Sequence, residues 1–417
     1  LLSQAQDSSL THSTLQLRAT MSAIRHPCLI MGQCPSNFEG RNTYSETEGI
    51  FSGTDCADHR HVDTEVEGTH VIRIANRPIG IDHAPFIVAE MSGNHNQSLD
   101  RALAIVDAAA RTGAHAIKLQ TYTADTMTLD LAEGMFFIDE PDSLWKGRSL
   151  YELYQEAYTP WEWHAPIFER ARELGLIAFS TPFDETAVDF LEKLDVPCYK
   201  IASFENTDLP LIRKVAATGK PMLISTGMAN LAELDETVRT ARESGCKDLV
   251  LLKCTSTYPA TPENSHARTI PHMRQLFDCE VGLSDHTLGV GTAVAAAALG
   301  AAVLEKHFTL KRADGGVDSA FSLEPEELAA LVVESARAWR SLGAVTYGAS
   351  EEERKSRIFR RSLYIVEDMA AGDVLTPENL RCIRPGLGLA PKYYDVLLGK
   401  RVSRNVRRGT PVNWGLV

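Results

Sequence analysis

No run in this sequence approaches the roughly 18 consecutive apolar residues that a membrane-spanning helix requires. The short apolar stretch near the beginning, "HPCLIMG" at 26–32, is too brief for the core of a secretory signal. Basic residues are in deficit: 42 Lys and Arg against 55 Asp and Glu give a formal net charge of −13 over 417 residues. An acidic chain repels phosphate backbones, so a nucleic-acid partner is not expected, and neither is a membrane partner; a local basic pocket for a small anion stays compatible with that balance. The eight cysteines form no C-x-x-C pair, and Cys198 and Cys254 sit inside apolar runs, which points to reduced core residues and a cytoplasmic location. No G-x-G-x-x-G turn follows the first strand-like run, which removes the usual mark of a dinucleotide-binding open sheet.

Residues 1–65, rich in Ser, Thr, His and Glu, show neither a helical nor a strand period and read as a disordered extension. Periodicity begins at Val71. Eight short apolar runs follow: "FIVAEMS" (86–92), "AIKLQTY" (116–122), "LIAFSTP" (176–182), "CYKIAS" (198–203), "PMLISTG" (221–227), "LVLLKCTSTYP" (249–259), "EVGLSDH" (280–286) and "AVLEKHF" (302–308). Between them lie amphipathic stretches such as "SLDRALAIVDAAARTGA" and "NLAELDETVRTARESG", with Ser, Asn or Gly at their ends. Eight strands alternating with helices predict a (β/α)8 barrel over 71–342, with a doubly wound open sheet as the competing arrangement. The connection at 123–160 is longer than a barrel needs and reads as a lid or binding element. A charged linker at 343–357 leads to a compact, β-rich, basic domain at 358–417.

Polar residues recur where the runs end: Glu90, Lys118 and Gln120, Thr181, Lys200 and Ser203, Ser225, Ser256 and Tyr258, Ser284 and His286, Glu305 and His307. In a parallel barrel these ends converge on one face, so the recurrence predicts a pocket. His286 and His307 come from neighbouring strands and suit one divalent ion acting as a Lewis acid on a carbonyl, with Asp285 or Glu305 orienting an imidazole; two hydrogen-bonded pocket histidines are the bland alternative. Lys118 and Lys200 with several hydroxyls suit a small phosphorylated carboxylate, against a Schiff-base lysine or a plain ion pair. Glu90 is either a general base toward water or a structural partner of a lysine. Asn94 and His95 read as residues that fix their loop.

The motifs "AEMSGNH", "IKLQTY", "YKIASFE", "LISTGM", "LKCTSTYP", "VGLSDHT" and "LEKHF", followed by "RPGLGLAPKYYDVLLGK", resemble the sialic acid synthase family, in which a barrel is joined to an antifreeze-like (SAF) domain. The resemblance covers 71 to 415. It implies a transferase that condenses phosphoenolpyruvate with an open-chain acetamido sugar to a nine-carbon 2-keto acid and phosphate. It implies further that His286 and His307 hold the metal, Mn²⁺ ahead of Co²⁺ or Mg²⁺, and that Glu90 assists the attacking water. Lys118, Lys200, Ser203, Ser225, Ser256 and Ser284 would hold phosphoenolpyruvate. Gln120, Glu205, Tyr258 and Asp318 would face the sugar, with Arg384 arriving from the partner subunit of a domain-swapped homodimer. "LWKGRSLYELYQEAYTPWEWH" (144–164), "ASFE" and Ser256 resemble the branch that takes 2,4-diacetamido-2,4,6-trideoxy-altrose, ahead of the N-acetylneuraminate and legionaminate branches; a non-catalytic carbohydrate-binding protein is the reading from another class.

Overall fold

A computed structural model describes residues 70–141 and 143–417; the extension expected at 1–65 lies outside the described residues. An antiparallel hairpin, β1 (Ile72–Ile74) and β2 (Arg77–Ile79), precedes eight parallel strands: β3 (Phe86–Glu90), β4 (Ala116–Thr121), β5 (Ile177–Pro182), β6 (Tyr199–Ile201), β7 (Met222–Ser225), β8 (Leu249–Cys254), β9 (Glu280–Asp285) and β10 (Val303–His307). They close into a barrel in which β10 pairs with both β9 and β3. All eight apolar runs are strands, and the open-sheet alternative is excluded by the closure.

Alternation along each strand divides its side chains between two cores. Ile87, Ala89, Ile117, Leu119, Ile224, Leu251, Leu283 and Leu304 point outward and pack under the helices. Phe86, Val88, Ala116, Phe179, Leu223, Val250, Leu252 and Val303 point inward and fill the lower half of the tube. Ile72, Ile74 and Ile79 of the hairpin join that inner cluster and plug the tube's amino-terminal end. Gly282 takes an inward position where an added Cβ would lie 2.4 Å from the Val303 carbonyl oxygen, so the close approach of β9 to β10 needs glycine.

The helices form where the amphipathic stretches place them. Ser98 caps α1 (Leu99–Thr112) by accepting from Arg101 N, and Gly113 ends it at φ 82°. Between come α2 (Ala124–Met127), α3 (Leu150–Ala157), α4 (Trp161–Glu173), α5 (Glu185–Lys193) and α6 (Leu209–Ala216). Asn230 and Glu233 form a capping box on α7 (Leu231–Glu243), and α8 (Thr269–Phe277), α9 (Gly291–Ala298) and α10 (Pro325–Ser341) complete the ring. The connection expected as a loop from 123 to 160 is largely built: it holds α2 and α3, and α4 begins at its end. The linker likewise contains a turn of helix, α11 (Glu351–Arg354), started by a Ser350–Glu353 capping box. Beyond it, β11 (Ser362–Ile365) pairs antiparallel with β12 (Leu380–Ile383) over a core that includes Leu363, Ile365, Leu397 and Val412. All five described cysteines are free, and Cys198, Cys246 and Cys254 are buried, as expected for reduced core residues.

Two histidines of the barrel, His95 and His164, are buried as neutral rings, and His115 is half-buried. His115 Nδ1 accepts from Ile87 N at 2.9 Å, His164 Nε2 bonds Thr121 Oγ1 at 2.8 Å, and His95 Nε2 bonds Thr159 Oγ1 at 3.2 Å. Burial holds each at about 4, below the usual 6.5. Above pH 6.5 these rings are neutral in both folded and unfolded chains. Below it the unfolded chain takes protons that the folded one refuses, so stability should fall as pH drops from 6.5 to about 4. Thermal unfolding across that window checks this, and His164→Gln should flatten the slope; an unchanged slope would contradict the assignment.

Candidate active site

The inward alternation continues past the apolar floor. Two residues beyond Val88, Ala116, Cys198, Leu223, Leu252, Gly282 and Val303 stand Glu90, Lys118, Lys200, Ser225, Cys254, Ser284 and Glu305, and His307 follows two later. All line one cavity of about 290 Å³ at the carboxyl ends of the strands.

At its base lies a buried cluster of four charges. Lys118 Nζ is 2.6 Å from Glu90 Oε2 and 3.8 Å from Glu305 Oε2, and it donates to Thr181 Oγ1 at 3.1 Å. Lys200 Nζ and Ser284 Oγ both donate to Glu305 Oε1 at 3.1 Å. Burial alone would raise the Glu305 carboxyl, but the two ammonium groups outweigh it and hold it at about 2. Burial prevails at Glu90, whose carboxyl is raised despite Lys118. It also prevails at Lys200, which is lowered, whereas Glu305 and Glu90 keep Lys118 raised.

Hydroxyls gather beside this cluster. Gly227 N donates to Ser203 Oγ at 3.1 Å, and a Cβ on Gly227 would fall 2.1 Å from Ser256 Oγ and 2.6 Å from Ser203 Oγ. Ser225 Oγ is buried without a hydrogen-bond partner. Ser256 does not itself line the cavity; it stands beside Gly227 and 3.8 Å from Cys254 Sγ.

The two imidazoles face each other with ring centroids 5.3 Å apart. His286 Nδ1 bonds the Thr255 carbonyl at 2.9 Å, which as a donor leaves Nε2 bare. His307 Nδ1 is buried, has no hydrogen-bond partner and lies 3.7 Å from Asp318 Oδ2, and burial drives this ring well below its usual pKa. Asp318 in turn accepts from Ser92 Oγ. The orienting role expected of Asp285 or Glu305 falls elsewhere. Asp285 points out of the tube to Lys306 Nζ at 3.0 Å and Thr287 N at 2.9 Å, Glu305 is taken by the lysines, and the Thr255 carbonyl holds the imidazole.

Gln120, Glu205, Tyr258 and Asp318 line the upper cavity, with Glu205 raised to about 7 by burial and its Oε2 unpartnered. Arg384 does not line it; this residue is exposed in the C-terminal domain. Asn94 and His95 fix their loop as expected: Asn94 Nδ2 donates to the Phe308 carbonyl at 3.0 Å, and His95 Nδ1 accepts from Gln97 N at 3.2 Å. Sequence reasoning missed Gly227, which only its place after "LIST" at a strand end hints at, and it missed Ser92, Cys254 and Trp145.

Residues 105–347 match the NeuB family and 360–417 the SAF domain. The chain belongs to the NeuB family. It is 43% identical to the pseudaminic acid synthase of Campylobacter jejuni over 334 residues, 80% of this chain and 97% of that protein. It is 42% identical to the pseudaminic acid synthase of Helicobacter pylori, over 79% of this chain and 96% of that one. Among solved structures it resembles the N-acetylneuraminic acid synthetase of Leptospira borgpetersenii in complex with citrate, with a TM-score of 0.62, 29% identity, and 69% and 95% of the two chains covered.

Within this NeuB barrel, Glu305 is the carboxylate both lysines share, Lys200 by a hydrogen bond and Lys118 by charge at 3.8 Å. Glu305→Gln should therefore destabilise the fold by about 3–5 kcal/mol, the usual effect of removing one partner from a buried ion pair. Adding Lys200→Met should recover much of the loss. Urea unfolding at pH 7 checks both; parental stability in the single variant would show that the cluster is dispensable to the fold.

Proposed function

We propose that this chain is a pseudaminic acid synthase, condensing phosphoenolpyruvate with open-chain 2,4-diacetamido-2,4,6-trideoxy-altrose to a nine-carbon 2-keto acid and phosphate. The observation that carries the reading is the convergence of two buried ammonium groups, a hydroxyl cradle around Gly227 and a pair of imidazoles on one cavity. The similarity to the Campylobacter and Helicobacter proteins favours this sugar over those of neuraminate and legionaminate synthases.

Lys118 and Lys200 would exchange carboxylate contacts for the phosphate and carboxylate of phosphoenolpyruvate, with Ser203, Ser225, Ser256 and Ser284 supplying hydrogen bonds. Gly227 has no side chain because one would occupy that cradle. Gln120, Glu205, Tyr258 and Asp318 would hold the sugar's polar groups. The methylene carbon of phosphoenolpyruvate bonds to the aldehyde carbon, water adds to the enol-ether carbon, and loss of phosphate leaves the keto group. Glu90, raised by burial and beside Lys118, would take the proton of that water.

The residues fit a divalent ion: His307 Nδ1 is buried and unpartnered, and His286 has its other nitrogen fixed by a carbonyl. His286 and His307 would hold Mn²⁺, with Co²⁺ or Mg²⁺ as substitutes, and the ion supplies Lewis acidity toward the sugar aldehyde. Among the described residues, no group of three or more His, Cys, Asp or Glu side chains is arranged to hold a metal.

The division we adopt is a barrel at 71–342, a linker at 343–357 and an SAF domain at 358–417. A domain-swapped dimer is supported by the bonding of that last segment. Among the described residues, the hydrogen bonds and ion pairs of 350–417 stay within 350–417, leaving Arg384 free to serve another subunit. Exposed Phe204, Met228 and Leu288 follow β6, β7 and β9, and exposed Tyr347, Phe359 and Leu387 belong to the C-terminal part, apolar surfaces suited to cover one another. A cytoplasmic location accords with the proposed substrates. No described helix is long and apolar enough to cross a membrane.

Purified protein with phosphoenolpyruvate, Mn²⁺ and the diacetamido sugar should release phosphate. His286→Ala or His307→Ala should abolish release with little change in melting temperature; full activity after metal removal and repletion would refute the assignment. Co-expressed His307→Ala and Arg384→Ala subunits should regain activity that neither has alone, because a mixed swapped dimer holds one intact site. Absence of that rescue in a verified mixed dimer would refute the swap.

A further inference from the structure

The charged cluster sits on the floor of the cavity, with Gln120, Glu205, Tyr258 and Asp318 above it, whereas one side is built from a single segment of opposite character. Met127, Ile138, Trp145, Leu150 and Leu153, all from the connection between β4 and α4, line the cavity together with Val317. Ile138 and Leu153 are buried. The wall is fastened at several points. Ile138 N donates to the Arg148 carbonyl at 2.9 Å and Gly147 N returns to the Ile138 carbonyl at 2.8 Å. Ser149 and Glu152 cap α3 reciprocally. Trp145 Nε1 donates to the Val317 carbonyl at 3.0 Å, and Gln97 Nε2 donates to the carbonyls of Glu156 at 2.9 Å and Tyr158 at 2.7 Å. Gly93 lets the wall close: a Cβ there would lie 2.6 Å from Val317 Cγ2 and 3.2 Å from Ala157 Cα.

With the indole N–H spent, the Tyr154 hydroxyl is the only uncommitted side-chain hydrogen-bonding group that this segment sends to the cavity, among the described residues. Such a surface takes methyl groups well and hydroxyls badly, because a hydroxyl pressed on it loses water without gaining a partner.

We infer that this wall is the specificity element of the site. It selects sugars whose far end is deoxygenated and N-acetylated, seating the deoxy methyl and acetamido methyl on Ile138, Leu150 and Leu153 while the Tyr154 hydroxyl donates to one acetamido carbonyl. The inference rests on the functional reading above, whose floor chemistry is indifferent to the sugar's distal substituents.

The test compares two sugars, the diacetamido trideoxy hexose and N-acetylmannosamine, which carries hydroxyls at the fourth and sixth carbons. With saturating phosphoenolpyruvate, the parent should favour the first in kcat/KM by about 10–100-fold, the discrimination open to an apolar pocket. Ile138→Thr and Leu150→Gln should each lower kcat/KM for the trideoxy sugar about tenfold, leaving the KM for phosphoenolpyruvate within about twofold and the value for N-acetylmannosamine unchanged or raised. Equal losses for both sugars, or none for the trideoxy sugar, would overturn the inference. Calorimetric titration of each sugar in the presence of phosphoenolpyruvate separates the two proposals. Selective binding of the trideoxy sugar that the variants lose, without turnover, would refute the synthase and uphold the wall; binding without preference would refute the wall.

Discussion

Two ammonium groups and two carboxylates enclosed in an otherwise apolar tube form the constraint on which the rest of this structure depends. Taking any one of them out of water unpaired costs several kcal/mol, so Lys118, Glu90, Lys200 and Glu305 are tolerable only as a set. Their pairings are unequal. Glu305 receives both lysines and Ser284 and stays ionised far into acid, while Glu90 has Lys118 alone and is pushed up by burial. One carboxylate is therefore fixed and the other responsive. An arriving anion that draws on Lys118 would take away Glu90's main support and raise its carboxyl further, while Glu305 would keep its second lysine.

Much of this was legible in the sequence because a strand's alternation is unusually strict in a closed barrel. The eight apolar runs are the eight strands, and the polar residues at their ends line one cavity except Thr181 and Ser256, which stand beside it. What linear reading blurred was which face each residue takes. Ser284 and Asp285 are adjacent letters, yet one turns into the tube and meets Glu305, while the other turns out and meets Lys306. Counting by twos from Val303 sets Glu305 and His307 together on the inside, as the strand-end reading has them, and leaves Lys306 outside. Gly227 was harder to see, since its contribution is the space a methyl would occupy, and absence of a side chain leaves little trace in a composition. The helices inside the connection after β4 escaped notice because they are short and their apolar residues face a cavity rather than a core.

The same principle of exclusion recurs on several scales. Gly93, Gly227 and Gly282 each admit a neighbour that any larger residue would repel: the wall, the hydroxyl cradle and an adjoining strand. At His286 and His307 it is hydrogen bonds that are withheld: a carbonyl fixes one ring, and nothing among the described residues satisfies the other's Nδ1. In each case the fold has left something out, and the omission is held in place by dense packing around it.

The hairpin at Ile72–Ile79 adds a kinetic consequence. Its three isoleucines complete the apolar floor that fills the lower half of the tube, and the cavity is left as a blind well with one mouth. Whatever rests on the lysines must descend before anything is stacked above it, and whatever is stacked above must rise before the bottom can empty. The traffic of the site is therefore last in and first out, imposed by the apolar floor beneath the lysines.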